Sequence, residues 1–420
     1  GHENKLGIRV DCMNIWWLVF LAVAVVLIAI LVFRLHAFLT LLLAGLLVAA
    51  LTTGEQLGSY TDAQIDNGKM SADAADKLVS TSAPARLAGA FGETAGKIGI
   101  LIALASIIGQ CLLESGAAST IVERMLRLTG PRRAPEALAA SAFVLGIPVF
   151  FDTVFYLMIP LARSLRRRLG SNYVLYILAI LAGGSIAHSL VPPTPGPLLV
   201  AGELGVDIGT MMVAGLVIGG CSSVVSLGAA RVINRLVDVP LRFDEETSDA
   251  DQQLAPDEKL ADETSLNPLG DKPSLLRSLA PIAVPVILIS IGSVIDYAWD
   301  PDATPIDAGE TAGTMANAQQ SLVTFLLAVA NKNVALGIGV VLAFSLIRYC
   351  PDAKRATLVS RSLASAGNII LITAAGGAFG AMLRQAGIEG AVGSMAQGVP
   401  GIMILPVAFA VTAAIRTLQG

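Results

Sequence analysis

The sequence has few charged residues and lacks the motifs of common hydrolases and metal sites. Only 14% of its 420 residues are charged, 54% are hydrophobic and the mean hydropathy is +0.71. A soluble protein of this size needs more polar cover, so the composition excludes that class. The four cysteines are scattered without CxxC spacing, which predicts neither a disulfide nor a metal site. Neither GxSxG nor HExxH occurs, so no enzyme is predicted and no cofactor is expected.

Long apolar runs dominate what is present. The run Ile15–Phe33 has nineteen residues without a charge, enough to cross about 30 Å of hydrocarbon as a helix. Seven further apolar runs are bounded by charges or turn residues: 35–52, 98–113, 173–191, 209–230, 279–295, 334–347 and 369–383. The pattern predicts an all-α polytopic membrane protein. Membrane lipid is its expected partner, and binding to nucleic acid is not expected.

Two basic clusters, 124–133 and 163–168, flank a single apolar segment, 137–161. Cytoplasmic loops hold the excess of Lys and Arg, so both clusters are predicted inside, whereas a simple crossing would separate them. A re-entrant hairpin over residues 136–162 resolves the conflict, because Gly146 and Pro148 break the helix after a short first arm. Irregular backbone at this depth is tolerated only against protein or water. The hairpin tip is therefore predicted to line a cavity.

The same charge rule assigns the other loops. It places nineteen of the 28 Lys and Arg residues in the cytoplasm and the N-terminus outside. Residues 1–12 are interpreted as a tag or non-native leader, and 236–278 as a cytoplasmic linker. Arg416 is the one cation predicted within the membrane. The segments predicted to be external loops are 53–93, 202–208, 297–333 and 385–400.

An internal repeat occurs at an offset of 271 residues. The residues Gly96, Ile98, Ala103, Gly109, Leu112 and Gly116 match Gly367, Ile369, Ala374, Gly380, Leu383 and Gly387. The charge map gives the two copies opposite orientations, so the sequence predicts two inverted repeats, 13–235 and 279–420. Inverted repeats whose broken helices meet near the midplane are typical of secondary transporters.

A second break is predicted within the helix 172–201. The stretch VPPTPGP, residues 191–197, cannot continue a helix because its prolines lack N–H donors. Its freed carbonyls and the hydroxyls of Ser189 and Thr194 become available to a polar ligand. Helix N-termini near Thr153 and Leu198 direct a positive dipole at an anion. A small anionic substrate fits this arrangement best.

Four motifs together resemble those of the gluconate permease (GntP) family of proton-coupled carboxylate symporters, in the ion transporter superfamily. They are RLHAFL from Arg34, GIPVFFD at 146–152, VPPTPGP at 191–197 and RTLQG at 416–420. The resemblance implies an inverted-repeat fold with two re-entrant hairpins. It also implies import of gluconate or a related sugar acid with protons across the inner membrane. Members commonly continue beyond QG, so the second repeat is expected to be incomplete at its C-terminus.

Asp152 lies in an otherwise apolar segment, where an acidic residue is by default a functional-site hypothesis. It could couple protons to transport, bond substrate hydroxyls or cap the hairpin. His188 could relay protons or serve as a local hydrogen-bond partner. Arg416 could hold the substrate carboxylate or reach to the outer surface. The predicted substrate site comprises Gly146, Pro148, Asp152, Thr153, His188, Ser189, Thr194, Gly196, Arg416, Thr417 and Gln419.

Several alternatives stay open at the level of sequence. The coupling ion is H⁺ or, because carbonyl-lined breaks also suit it, Na⁺. A sodium-coupled carboxylate transporter or a D-serine transporter would use similar donors. A passive channel or an intramembrane hydrolase with Asp152 and His188 as acid and base fits less well. The oligomeric state is undetermined, with a homodimer as one option.

Overall fold

A computed structural model describes residues 3–169, 172–237, 272–298 and 323–396, with residue 321 and a few positions between 400 and 412. The regular structure in these residues is helical. The helices are α1 Glu3–Leu31, α2 Ala37–Leu51, α3 Gly54–Asp66, α4 Ala72–Ser80, α5 Ala83–Glu114, α6 Ala117–Thr129, α7 Ala134–Leu145, α8 Phe151–Leu169, α9 Tyr173–Leu190, α10 Pro195–Leu204, α11 Ile208–Leu236, α12 Leu275–Ala298, α13 Lys332–Phe344, α14 Leu358–Gln385 and α15 Ile388–Ala396. The predicted all-α class is confirmed for this part of the chain.

Six helical segments among the described residues are long and apolar enough to cross a membrane. They are Ala83–Glu114, Tyr173–Leu204, Ile208–Leu236, Leu275–Asp296, Lys332–Tyr349 and Leu358–Gln385. Each contains the whole of one predicted apolar run. The chain is therefore a multi-pass membrane protein by length and composition of its helices.

The N-terminal region departs from the sequence prediction. The apolar part of α1, Ile15–Leu31, is shorter than the six candidate spans, and α2 is bent by 98° from α3. Residues 53–93, predicted to be an external loop, instead contain α3, α4 and the start of α5. Thr53 and Gln56 explain the start of α3, because they form a reciprocal capping box at its first turn. The hydropathy pattern does not detect polar helices that are held by such caps.

The chain divides into two compact units, which cut across the predicted repeats. The first unit comprises residues 1–96 and 371–420, and the second comprises 97–370. In the first unit α1 packs on α2, and Val48 of α2 and Leu87 of α5 belong to one apolar cluster with Met382 of α14. The predicted repeat bounds, 13–235 and 279–420, stay a prediction.

Helix α9 lies at the centre of the second unit, where it packs against α7, α8 and α11. Glycine allows the backbones to approach closely. A Cβ added to Gly183 of α9 would overlap the carbonyl of Ala139 in α7, and one added to Gly215 of α11 would overlap the carbonyl of Leu190. Small residues at such contacts are characteristic of packed membrane helices. These close contacts with α9 therefore fix the positions of α7 and α11.

Polar contacts at both ends of α11 connect it to neighbouring helices in the second unit. Near its C-terminus, Arg231 forms a 2.5 Å ion pair with Glu136 of α7. At its N-terminus, Asp207 caps the helix by accepting from the N–H groups of Gly209 and Thr210, and it also accepts from Ser293 of α12. Burial raises the pKa of the Asp207 carboxyl, but these hydrogen bonds outweigh it and hold the pKa below its ordinary value.

The helix ends reproduce the offset of 271 found in the sequence. Helix α5 ends at Glu114 and α14 ends at Gln385, 271 positions later. Gly116 and Gly387 follow these ends, and both have left-handed backbone, with φ of 74° and 91°. Helices α6 and α15 then start at the same offset. The repeated sequence therefore produces the same local structure of a long helix, a glycine turn and a short helix.

The two equivalent long helices, α5 and α14, run in opposite directions within each unit. In the second unit Ser106 donates to the carbonyl of Ser362 at 2.9 Å, and a Cβ on Gly99 would lie 3.8 Å from Ile370. Moving along α5 from Gly99 to Ser106, the contacts on α14 move back from Ile370 to Ser362, so the two helices are antiparallel in this unit.

The first unit has the same order of contacts. Arg86 donates to Gln385 Oε1 at 2.8 Å, and a Cβ on Gly377 would lie 2.6 Å from Thr94 Oγ1. The segments of α5 and α14 in this unit are therefore antiparallel as well.

The close contact of α9 with α7 gives a first testable prediction. The substitution Gly183→Ala should lower the free energy of unfolding by about 1–3 kcal/mol, because the added methyl collides with a backbone carbonyl that cannot rotate away. The matched control is Gly220→Ala on α11, where a Cβ has open space around it and alanine favours the helix. Thermal unfolding in detergent measures both, and equal midpoints for the two variants would contradict the packing described.

Candidate functional site

The first predicted helix break is present between α7 and α8. Helix α7 ends at Leu145 and α8 begins at Phe151, and Gly146, Ile147, Pro148 and Val149 between them are buried. The N–H of Gly146 donates to the carbonyl of Ala142 at 2.8 Å, and that of Val149 to Leu145 at 3.1 Å. The break is thus a hydrogen-bonded turn. Whether its arms form a re-entrant hairpin stays a prediction.

The second predicted break lies between α9 and α10. Helix α9 ends at Leu190 and α10 begins at Pro195, with a cis peptide bond between Pro192 and Pro193. The Thr194 hydroxyl, on a side chain that is 5% exposed, donates to the carbonyl of Val191 at 2.7 Å. This bond satisfies a carbonyl that the prolines cannot serve, since they have no N–H to donate.

The fold brings the two breaks together within the second unit. The rings of Phe150 in the first break and His188 near the end of α9 meet edge to face, with centroids 6.3 Å apart. A Cβ on Gly146 would lie 3.0 Å from the carbonyl oxygen of Gly184, and one on Gly184 would lie 3.0 Å from the Phe151 ring. The first break therefore packs on the last two turns of α9, directly before the second break.

Helix α5 supports the first break from another side. A Cβ added to Gly109 would lie 2.9 Å from the Pro148 carbonyl oxygen and 3.5 Å from Val149 Cα. This glycine thus lets α5 contact the broken backbone directly. Contact with protein is one of the two conditions under which irregular backbone is tolerated at membrane depth.

The side chains predicted to bind substrate differ in their exposure. Asp152 and Thr153, in the first turn of α8, and Ser189 are exposed, whereas His188 is half-buried and Thr194 is buried. Within the described part of the chain, the Asp152 carboxylate accepts no hydrogen bond and forms no ion pair. Asp152 is thus available to water, a proton or a ligand.

The two helix N-termini are not equivalent as anion sites, which corrects the expectation at Leu198. Pro195 and Pro197 lack N–H groups, and the N–H of Leu198 donates to the Thr194 carbonyl at 3.3 Å. Only Gly196 then offers a donor in the first turn of α10. In α8 the backbone N–H groups of Phe151 and Asp152 precede the first intrahelical bonds, so this end keeps its positive pole available to an anion.

One buried cation was missed by the sequence analysis. Arg86, in the first turn of α5, is 8% exposed and donates to Gln385 Oε1 at 2.8 Å and to the carbonyl of Ala49 at 3.0 Å in the first unit. The sequence analysis, which predicted only Arg416 within the membrane, therefore overlooked Arg86 in the candidate span Ala83–Glu114. Arg86 is the only charged residue in 83–92, and that isolation was the available signal. The predicted site residues Arg416, Thr417 and Gln419 lie outside the described residues.

Comparison with known proteins identifies the family. A profile described as GntP family permease matches residues 76–420. The chain belongs to the GntP permease family. It is therefore a transporter rather than an enzyme, as the sequence predicts.

Three relatives illustrate the similarity of this GntP permease to other proteins. A gluconate permease of Pseudomonas aeruginosa is 32% identical over 79% of this chain and 67% of its own length. The inner membrane permease YgbN of Escherichia coli is 30% identical over 78% of this chain and 68% of its own length. An uncharacterized permease of Haemophilus influenzae is 28% identical over 95% of this chain and 73% of its own length. No solved structure matches the chain.

The bond across the second break of this GntP permease gives a prediction. The substitution Thr194→Val should leave the Val191 carbonyl unpaired in a buried position, at a cost of about 1–3 kcal/mol. Hydrogen–deuterium exchange of the segment 187–198 should become faster. The control Thr194→Ser keeps the hydroxyl and should exchange like the unmodified chain. Identical exchange in all three proteins would show that the bond does not hold the break.

Proposed function

We propose that this chain imports gluconate or a related sugar acid together with protons across the cytoplasmic membrane. The observation that carries the substrate class is its similarity to a protein named gluconate permease, at 32% identity. A low-affinity gluconate transporter of Escherichia coli, 27% identical over 92% of this chain, supports the same class. The relative named inner membrane permease supports the location.

An inverted repeat is the architecture that we propose for this transporter. It requires equivalent helices of the two copies to run in opposite directions. The antiparallel contacts of α5 and α14 within each unit support it. Ile370 is the equivalent of Gly99 at the offset of 271, and these two residues face each other.

The substrate is proposed to bind beside the packed breaks in the second unit. A sugar acid presents one carboxylate and several hydroxyls. The carboxylate is attracted by the positive end of α8, where the N–H groups of Phe151 and Asp152 are available. The exposed hydroxyls of Thr153 and Ser189 can donate to or accept from the sugar. Arg416, Thr417 and Gln419 lie outside the described residues, and their role in binding stays a prediction of the sequence.

Proton coupling is proposed to follow from the position of Asp152. This carboxylate lies in the same helical turn as the N–H groups that attract the substrate anion. Two negative charges in one small site repel each other, so anion binding favours the protonated form of Asp152. By linkage, protonation favours binding of the anion to the same extent. His188, half-buried against Phe150, is the candidate to relay the proton.

The substitution Asp152→Asn tests the coupling. Asparagine cannot ionise, so uptake driven by a pH gradient should be lost while exchange of internal for external substrate continues. The control Asp73→Asn removes an acid at the same position in the first turn of α4 and should transport normally. Uptake with unaltered pH dependence in the Asp152 variant, measured in proteoliposomes, would remove Asp152 from the coupling mechanism.

The substrate and the ion are tested in proteoliposomes that contain the unmodified protein. Labelled gluconate should accumulate under an inward proton gradient in the absence of Na⁺, and an uncoupler should abolish the accumulation. Other sugar acids should compete, whereas neutral glucose should not, because it lacks the carboxylate. Accumulation that requires a Na⁺ gradient would favour the sodium-coupled alternative, and uptake that never exceeds equilibrium would indicate a channel.

A further inference from the structure

A basic pocket lies on the second unit, away from the two helix breaks. It has a volume of 460 Å³ and is lined by Thr120, Glu123, Arg124, Arg127, Lys272, Pro273, Ser274, Arg277 and Tyr349. Four of these side chains are cationic and one is anionic. The pocket is thus suited to an anion, and none of its residues belongs to the proposed transport site.

The described residues around the basic pocket balance only part of its positive charge. Lys272 pairs with Glu123 at 2.7 Å, which accounts for the single carboxylate. Arg277 donates to the neutral Tyr349 hydroxyl at 3.1 Å. Arg124 and Arg127 are exposed and form no ion pair with the described residues. Among the described residues, the positive charges of Arg124, Arg127 and Arg277 therefore have no carboxylate partner.

The basic pocket lies where membrane spans end. Its residues Lys272, Pro273 and Ser274 directly precede the candidate span Leu275–Asp296, and its Tyr349 ends the candidate span Lys332–Tyr349. Tyrosine and basic residues at span ends mark the level of the lipid headgroups. Leu276, next to Arg277, is 81% exposed. An exposed apolar side chain thus lies next to Arg277 in the sequence, at the start of the candidate span.

An apolar pocket adjoins the basic one. It has a volume of 530 Å³ and shares Glu123 and Arg127 with the basic pocket. Its other lining residues are mainly apolar: Leu126, Gly130, Pro131, Ala134, Leu161, Ser164, Leu165 and Leu169. The two cavities together offer a cationic part and an aliphatic part to one amphiphilic ligand.

We propose that these two pockets bind one anionic phospholipid. Arg124, Arg127 and Arg277 bind its phosphate, for which the planar guanidinium offers paired donors. An acyl chain lies along Leu126, Leu161 and Leu165. Basic pockets between membrane helices are a known form of headgroup recognition. A free anion would use the cationic part alone and would leave the leucine-lined pocket without a role.

The experiment compares lipid binding by native mass spectrometry of the delipidated protein. Phosphatidylglycerol should bind, whereas phosphatidylcholine with the same acyl chains should bind much more weakly. The double variant Arg124→Gln and Arg127→Gln should weaken binding of phosphatidylglycerol about 30-fold, from the contribution of two basic residues at a lipid surface. The matched control is the double variant Arg132→Gln and Arg133→Gln. These two arginines are exposed and lie outside both pockets, so their replacement should leave binding unchanged.

Two further measurements distinguish a lipid from a soluble anion. Inorganic phosphate and glycerol 3-phosphate should not displace the lipid, and Leu165→Asn should weaken lipid binding while both arginines remain. Efficient displacement by inorganic phosphate would instead identify a site for a soluble anion. Equal losses in the two double-arginine variants, or no preference for the anionic lipid, would also overturn the proposal.

Discussion

The structure depends on how the backbone N–H and C=O groups at the two helix breaks are protected and paired in apolar surroundings. An unpaired N–H or C=O group has no water to bond in hydrocarbon, so a break persists only where protein covers it. Helix α9 provides this cover for the first break through contacts between Gly184 and both Gly146 and Phe151. Helix α11 covers the second break, where a Cβ on Gly215 would lie 3.2 Å from Val191 Cα. Both breaks thus depend on helices that approach at backbone distance, and larger side chains would force them apart.

The features that the sequence predicts well are those with a local physical cause. Pro148 and the prolines of 191–197 remove N–H donors wherever they occur, so both breaks were predictable without knowledge of the fold. The six candidate spans follow from hydropathy alone. The hydrogen-bond partners of Arg86 are distant in sequence, so its isolation among apolar residues could indicate burial but not the contacts with Ala49 and Gln385. The same limit applies to the site, because the packing of Phe150 on His188 is a tertiary contact.

The ends of the two equivalent long helices meet cations in a related way. Glu114 ends α5 and pairs with Lys354 at 2.7 Å in the second unit, while its equivalent Gln385 ends α14 and accepts from Arg86 in the first. The Lys354 side chain is 49% exposed, so its pair contributes little to stability. Arg86 is buried, and removing its acceptor would leave a charged group without compensation. Both copies of the repeat therefore place a hydrogen-bond acceptor at the end of the long helix. The contribution of its contact to stability differs between the copies.

The two helix N-termini beside the breaks are also unequal, and the inequality bears on the proposed coupling. Prolines remove most of the donors at the start of α10, so an anion is directed to the start of α8, where the donors remain. That turn also carries Asp152. A carboxylate beside the preferred anion position weakens binding of the substrate until it is protonated. On the proposed mechanism, the proline-rich break therefore does more than bend a helix. It removes a competing anion site that would allow the substrate to bind without its proton.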